Sequence, residues 1–206
     1  AANNKSKTSL WIENLRARDA APPVLFTDES MSVNSPSFST DGQTVYFLSA
    51  KSGSMQLWSQ ALGSNTASQL SNYEMDIGSY KIAPNGQSVA LSFEVFNDCA
   101  DLACNKKRLA DKSASKASGM LFDKTFVRHW DTYSDGRRNQ LFVAPLSDSK
   151  TGAPVKVSVG IDGDIPSKPF GDASEYTWSP DSKNIVFSVR IAGKTEPWST
   201  NFDLYQ

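Results

Sequence analysis

Phe38-Ser39-Thr40-Asp41-Gly42-Gln43-Thr44-Val45-Tyr46-Phe47 decides the fold, because two further stretches repeat its chemistry: Ile82-Ala83-Pro84-Asn85-Gly86-Gln87-Ser88-Val89-Ala90-Leu91 and Trp178-Ser179-Pro180-Asp181-Ser182-Lys183-Asn184-Ile185-Val186-Phe187. Each opens on a large apolar residue, passes through a tight turn of the Ser-Pro-Asp-Gly kind and closes on a β-branched or aromatic run. A turn of that composition between two strand-like runs makes a β-hairpin. The first two copies are offset by 44 residues and the last two by 96. Recurrence of this kind predicts a repeat architecture rather than one closed domain.

Working outward, a third strand follows each hairpin: Leu57-Trp58 after the first, Leu141-Phe142 after the second and Leu204-Tyr205 after the third, while Leu10-Trp11 stands alone near the start. Val24-Leu25-Phe26-Thr27, Ser68-Gln69-Leu70-Ser71 and Val155-Lys156-Val157-Ser158 read as short outer strands. Trp11 to Trp58 is 47 residues and Phe26 to Leu70 is 44, so independent landmarks return the period of the hairpins. A repeat of about 40 to 45 residues suits a four-stranded propeller blade. The expected fold is therefore all-β: a partial β-propeller of four-stranded antiparallel blades, two nearly whole and two partial, with an insertion in one blade. The expected division is 1–30 as the end of a blade, 31–76 as a blade, 77–160 as a blade with an insertion at about 94–140, and 161–206 as the start of another.

Composition narrows the function classes. With 39% hydrophobic and 21% charged residues the chain is ordinary for a globular protein. No apolar run nears the roughly 18 to 20 residues of a membrane span, so no membrane partner is expected. A formal net charge of −1 removes the electrostatic case for nucleic acid, which calls for a basic stripe. Amphipathic helical stretches of useful length are not evident, whereas Ser, Asn, Asp, Gly and Pro punctuate the sequence as in strand-and-turn proteins.

Cys99 and Cys104 lie at the head of the insertion, in Asn97-Asp98-Cys99-Ala100-Asp101-Leu102-Ala103-Cys104-Asn105. A disulfide there would close a small loop, contribute roughly 2 kcal/mol in the chain-entropy model and imply a periplasmic or otherwise exported protein. Free thiols in a cytosolic protein are the alternative. A metal site is poorly served, since His129 is the one histidine available as a further ligand.

Within the insertion, residues 105–118 are rich in Lys, Ala and Ser and suit either a short helix or a mobile loop with solvated lysines. Beyond them come Arg128, His129, Trp130 and Asp131 in consecutive positions. If that segment is extended, Arg128 and Trp130 share one side and His129 and Asp131 the other. An Arg–carboxylate pair and a ring packed at a blade edge would explain it as well as a binding site would.

Catalytic constellations are not found. Nucleophilic catalysis needs an activated Ser or Cys, a base and an orienting acid. Gly86-Gln87-Ser88-Val89-Ala90 lacks the final glycine of a nucleophile elbow and lies in a repeat hairpin. Asp162-Gly163-Asp164 reads as a turn, since the other positions of a calcium loop are unfilled. No Gly-rich phosphate loop occurs, and no cofactor or metal is expected.

The repeats resemble TolB-like, WD-type propeller repeats. Two longer phrases, Phe126-Val127-Arg128-His129-Trp130-Asp131-Thr132-Tyr133-Ser134-Asp135-Gly136 and Pro197-Trp198-Ser199-Thr200-Asn201-Phe202-Asp203-Leu204-Tyr205, resemble the N-terminal propeller of prolyl oligopeptidase family serine peptidases. Within that family the likeness is to exported dipeptidyl peptidase V and acylaminoacyl peptidase types, which carry a Cys pair ahead of an Arg-His-Trp-Asp phrase. The likeness extends over essentially the whole chain.

That resemblance implies a parent enzyme in which a propeller precedes an α/β-hydrolase domain holding Ser, Asp and His. The chain would be a non-catalytic portion that covers the active site, admits short or unstructured peptides and holds the substrate's N-terminal end. Glu196 is the expected partner of the peptide's free amine, with Asn201 as a neutral neighbour and Arg128, His129, Trp130 and Asp131 framing the pocket. A stand-alone TolB-like propeller serving as a protein-binding scaffold is the alternative. Strands buried on both faces also lead us to expect self-association, because uncovered sheet faces and edges invite pairing.

Overall fold

The computed structural model describes residues 6–15, 22–117, 119, 121–122, 127–129 and 132–206, the side chain of residue 129 excepted. Among the described residues the architecture is mostly antiparallel sheet with one α-helix, in two compact units.

The first unit comprises the described residues up to Asn72 together with Ser147–Thr151. It holds β1 (Trp11–Ile12) paired with β2 (Val24–Leu25), and a four-stranded sheet formed in chain order by β3 (Val33–Phe38), β4 (Thr44–Ser49), β5 (Gln56–Ala61) and β6 (Ser68–Gln69). The β3–β4 turn shows why Ser-x-Asp-Gly makes a hairpin. Asp41 accepts the Ser39 hydroxyl at 2.6 Å and the Gln43 N–H at 3.0 Å, the Thr44 N–H donates to Ser39 Oγ at 2.9 Å, and Gly42 takes φ +70°. The strands then bury Met31, Val33, Val45, Phe47 and Trp58 as one core.

The second unit comprises Tyr73–Leu146 and Gly152–Gln206. Its four-stranded sheet runs β7 (Ile77–Ile82), β8 (Ser88–Val95), β11 (Arg138–Pro145), β12 (Val155–Lys156). Between β8 and β11 the chain inserts helix α1 (Leu102–Ala114) and the two-residue pair β9 (Arg128–His129) and β10 (Thr132–Tyr133). A second, three-stranded sheet follows in the order β13 (Tyr176–Trp178), β14 (Ile185–Val189), β15 (Asp203–Tyr205). Its hairpin reproduces the first one: Asp181 accepts the Ser179 hydroxyl at 2.5 Å and the Lys183 N–H at 3.1 Å, and Ser182 occupies the left-handed position at φ +62° that Gly42 fills elsewhere.

The two sheets of this unit share a core in which Ala90 and Leu141 of one meet Tyr176, Phe187 and Val189 of the other. Polar atoms are satisfied across the seam. Ser79 Oγ lies 2.9 Å from the Tyr176 hydroxyl, Lys81 Nζ donates to the Tyr176 carbonyl at 2.6 Å, and Trp178 Nε1 donates to the Lys81 carbonyl at 2.9 Å. Burial lowers the affinity of Lys81 for its proton and pushes the Tyr176 phenol upward.

The expected all-β fold of four-stranded antiparallel sheets is what forms. Of the short helix and the mobile loop that the Lys-, Ala- and Ser-rich insertion leaves open, the helix forms, as α1, beginning three residues earlier than that stretch. Its sequence is too polar to give an amphipathic signal, and it buries only Leu102 and Asn105. Local bonds hold it instead: Asp101 caps it by accepting the Cys104 N–H at 2.7 Å, Asn105 accepts the Phe96 N–H at 2.7 Å, and the Arg108 guanidinium bonds both oxygens of Asp98 while lying over the Phe96 ring. Cys99 and Cys104 form a disulfide across the helix start.

Candidate functional site

Arg138 begins β11 opposite Val95, the last residue of β8, so the sheet itself fixes where its guanidinium emerges. The preceding turn, with Gly136 at φ +92°, leads through Arg137 into Arg138 at the start of β11. Arg137 bonds Asp135 at 2.7 Å and Glu94 of β8 at 2.9 Å. Arg138 reaches three carboxylates: Asp162 at 3.3 Å, Asp164 at 2.8 Å, and Glu196 through a bidentate pair at 2.7 and 2.6 Å.

Each acid is placed by its own backbone. Asp164 Oδ1 accepts the Asn139 N–H at 2.8 Å, which ties its loop to β11. Gly163 permits the close approach of that loop to β14, since a Cβ there would lie 2.5 Å from Val189 Cγ2 and 2.7 Å from the Arg190 carbonyl oxygen. Glu196 rides on a 3-10 turn, Gly193–Trp198, after β14. Lys168 bonds Glu94 and faces Asp164 at 3.6 Å, and Arg190 faces Glu196 at 3.6 Å.

The cluster sets four cations, Arg137, Arg138, Lys168 and Arg190, against five carboxylates, Glu94, Asp135, Asp162, Asp164 and Glu196, leaving one negative charge in excess. Its centre is shielded, with Asp164, Glu196 and Arg138 side chains 9%, 14% and 18% exposed. Burial pushes the Glu196 carboxyl up, but hydrogen bonds and charge from Arg138, with the charge of Arg190, outweigh it and hold the group below the ordinary carboxylate value. Hydrogen bonds from Glu196 foremost, with the charges of Asp164 and Glu196, keep Arg138 protonated against the cost of burial.

Asp164, Ser167, Lys168, Arg190, Glu196 and Phe202 line a shallow depression beside the cluster whose free space is about 10 Å³, room for about one water. Each oxygen of Asp164 and Glu196 already accepts a hydrogen bond, from Arg138 or the Asn139 N–H, so an entering cation would have to share them through their second lone pairs. Phe202 supplies an apolar wall, its ring 5.7 Å from the Arg190 guanidinium.

Of the residues singled out from sequence, Glu196 stands at the centre of this cluster. Asn201 is exposed; its side-chain amide donates to Asp203 at 3.1 Å and its N–H to Ser199 Oγ at 3.3 Å. Arg128 is exposed on β9, with its guanidinium 6.0 Å from the Tyr133 ring. His129 pairs with Thr132 through its backbone, while its side chain, like the whole of Trp130 and Asp131, lies outside the described residues. No contact among the described residues joins Arg128 to Glu196. Arg138, Asp164, Lys168 and Arg190 were not singled out. The available signal was Arg137-Arg138 at a strand entry together with Asp162-Gly163-Asp164, which read only as a turn.

Among the described residues no group of three His, Cys, Asp or Glu side chains is arranged to hold a metal ion, and no helix is long and apolar enough to cross a membrane.

No family model matches the chain. It is 27% identical over 205 residues to dipeptidyl-peptidase 5 of Porphyromonas gingivalis, covering 98% of this chain and 28% of the relative. To dipeptidyl-peptidase 4 of Giardia intestinalis it is 26% identical over 196 residues, covering 86% of this chain and 26% of the relative. The chain thus spans about a quarter of the length of the curated relatives it matches. Among solved structures, acylaminoacyl peptidase of Pyrococcus horikoshii superposes with a TM-score of 0.56 at 14% identity, over 100% of this chain and 27% of that one. Propeller-like in fold, the chain is homologous to part of the dipeptidyl-peptidases 4 and 5.

Proposed function

We propose that the chain is the non-catalytic propeller portion of an exported serine peptidase of dipeptidyl or acylaminoacyl peptidase type, and that it gates and helps bind peptide substrates. Its sheets are successive blades of one propeller, and the partner of that propeller is an α/β-hydrolase domain of the same parent chain. The observation that carries this reading is similarity to dipeptidyl-peptidase 5 along 98% of the chain. The disulfide between Cys99 and Cys104 supports export, since such bonds persist in oxidising compartments.

The acidic excess around Arg138 supports a role in binding the substrate's free amine. Glu196 takes part with its carboxylate already shared by Arg138, so an incoming ammonium is held by the cluster rather than by Glu196 alone. Asn201, bonded to Ser199 and Asp203, is the neutral neighbour on the approach. The test is Glu196→Gln in the full-length parent. The Michaelis constant for a free-amine dipeptide substrate should rise about tenfold, worth about 1.4 kcal/mol, while an N-acetylated substrate is unaffected. An equal change for both substrates would return Glu196 to a structural role.

A further inference from the structure

Asn85-Gly86 is the one place in the chain where asparagine precedes glycine, and Asn85 lies exposed in the turn between β7 and β8. The other two hairpins hold Asp41 and Asp181 at the equivalent position. Each of the three side chains accepts the N–H two residues on: Gln43 to Asp41 at 3.0 Å, Gln87 to Asn85 at 2.9 Å and Lys183 to Asp181 at 3.1 Å. An amide oxygen and a carboxylate oxygen serve that bond alike. What asparagine adds is reactivity. Gly86 carries no side chain to obstruct approach of its amide nitrogen to the Asn85 side-chain carbonyl carbon, and the space where its Cβ would stand is open.

We propose that Asn85 is a self-modification site, converting to aspartate and isoaspartate at a rate set by opening of this turn. The Gly86 nitrogen attacks Asn85 Cγ. The N–Cγ bond forms, the Cγ–Nδ2 bond breaks, and Nδ2 leaves as ammonia with the proton that the Gly86 nitrogen gives up. Water then opens the resulting cyclic imide at either carbonyl. Cleavage at Cγ leaves aspartate in an ordinary main chain, whereas cleavage at the main-chain carbonyl leaves the chain running through Cγ as isoaspartate. Overall, water is consumed and ammonia released, with no other reactant.

The fold restrains the reaction at three points. The Gly86 N–H donates to the Ala83 carbonyl at 2.8 Å, the Gln87 N–H holds Asn85 Oδ1, and the Asn85 N–H donates to Ser182 Oγ at 3.0 Å in the turn between β13 and β14. Attack requires the first two bonds to break, so the reaction proceeds from the opened turn. The two products then differ in consequence. Aspartate keeps the acceptor that Asp41 and Asp181 provide in their own hairpins, and the turn recloses. Isoaspartate inserts an extra atom into the main chain, which carries the Gly86 N–H away from Ala83 and uncouples the turn from Ser182.

The test incubates the full 206-residue chain in mildly alkaline buffer and follows each asparagine by peptide-mapping mass spectrometry, with isoaspartyl methyltransferase labelling to count isoaspartate. A synthetic peptide with the sequence of residues 81–89 serves as the opened reference. In the chain unfolded by guanidinium chloride, Asn85 should convert faster than any other asparagine. In the folded chain it should convert at least about tenfold more slowly than in the peptide. Ser182→Gly removes the hydroxyl but suits the left-handed φ of +62°, so the unfolding midpoint should hold while conversion quickens about fivefold, the scale of one lost hydrogen bond. Asn85→Asp should keep the wild-type midpoint. No conversion at Asn85 in the unfolded chain, equal rates in the folded chain and the peptide, an unchanged rate in Ser182→Gly, or a lowered midpoint for Asn85→Asp would overturn the proposal.

Discussion

Arg138 and Glu196 form a two-point ion pair, at 2.7 and 2.6 Å, between the first residue of β11 and the 3-10 turn after β14. They are 58 positions apart in sequence. A planar guanidinium fits a carboxylate at two points, so the contact fixes both the turn and the direction of Arg138. Because both groups are largely shielded, losing either leaves charge uncompensated.

Arg138→Leu strands Asp164 and Glu196 in shielded positions. It should destabilise the fold by about 3 kcal/mol, the scale for removing one partner of a buried ion pair. Arg138→Lys, which keeps the charge and loses the two-point geometry, should cost about 1 kcal/mol. Urea midpoints of the two variants check the order, and equal midpoints for wild type and Arg138→Leu would remove Arg138 from the centre of the cluster.

The pH dependence follows from the depressed carboxyl of Glu196. Its folded value lies below the ordinary 4.5, so its stabilising contribution is fully present above pH 4.5 and is lost as pH falls through the folded value. Asp135 acts in the same direction: burial raises it, but the hydrogen bonds and charge of Arg137 hold it below the ordinary 3.8. Glu196→Gln should flatten the loss of stability on acidification below pH 4.5. Parallel acid-unfolding curves for the two proteins would contradict that assignment.

Gly163→Ala should destabilise by about 2 kcal/mol through overpacking, because the added Cβ meets Val189 and the Arg190 carbonyl. Gly42→Ala has open space around it and only its positive φ against it, and should cost about 1 kcal/mol. Thermal denaturation separates the two. A milder effect at residue 163 than at residue 42 would show that the loop carrying Asp164 yields easily.

Removing the disulfide as Cys99→Ser with Cys104→Ser opens a separation of five residues and should cost about 2 kcal/mol, felt locally. Amide exchange should quicken in Leu102–Ala114 and leave β7, β8 and β11 protected, because Asp101, Asn105 and Arg108 still hold the helix. Loss of protection across the sheet would give the bridge a wider role.

The hairpins were legible because their information is local. Asp41-Gly42, Asn85-Gly86 and Asp181-Ser182 spell out a turn within four residues, and even Ser182 in glycine's place leaves the Asp181 bonds intact. Helix α1 was ambiguous because side-chain caps and one buried amide hold it rather than an apolar stripe. The ionic cluster was barely legible. Arg138 meets Asp164 and Glu196 at separations of 26 and 58 residues, set by how sheets and loops come together, so no spacing rule in the chain points to it. Glu196 was found through a resemblance, and its partners were not.

The most direct measurement of whether the chain serves a catalytic domain rather than containing one is dipeptide release from short free-amine peptides, by the 206-residue chain and by the full-length parent under identical conditions. The isolated chain should release none while the parent turns over. Steady release by the isolated chain, or none by the parent, would contradict the reading of a non-catalytic propeller portion of a peptidase.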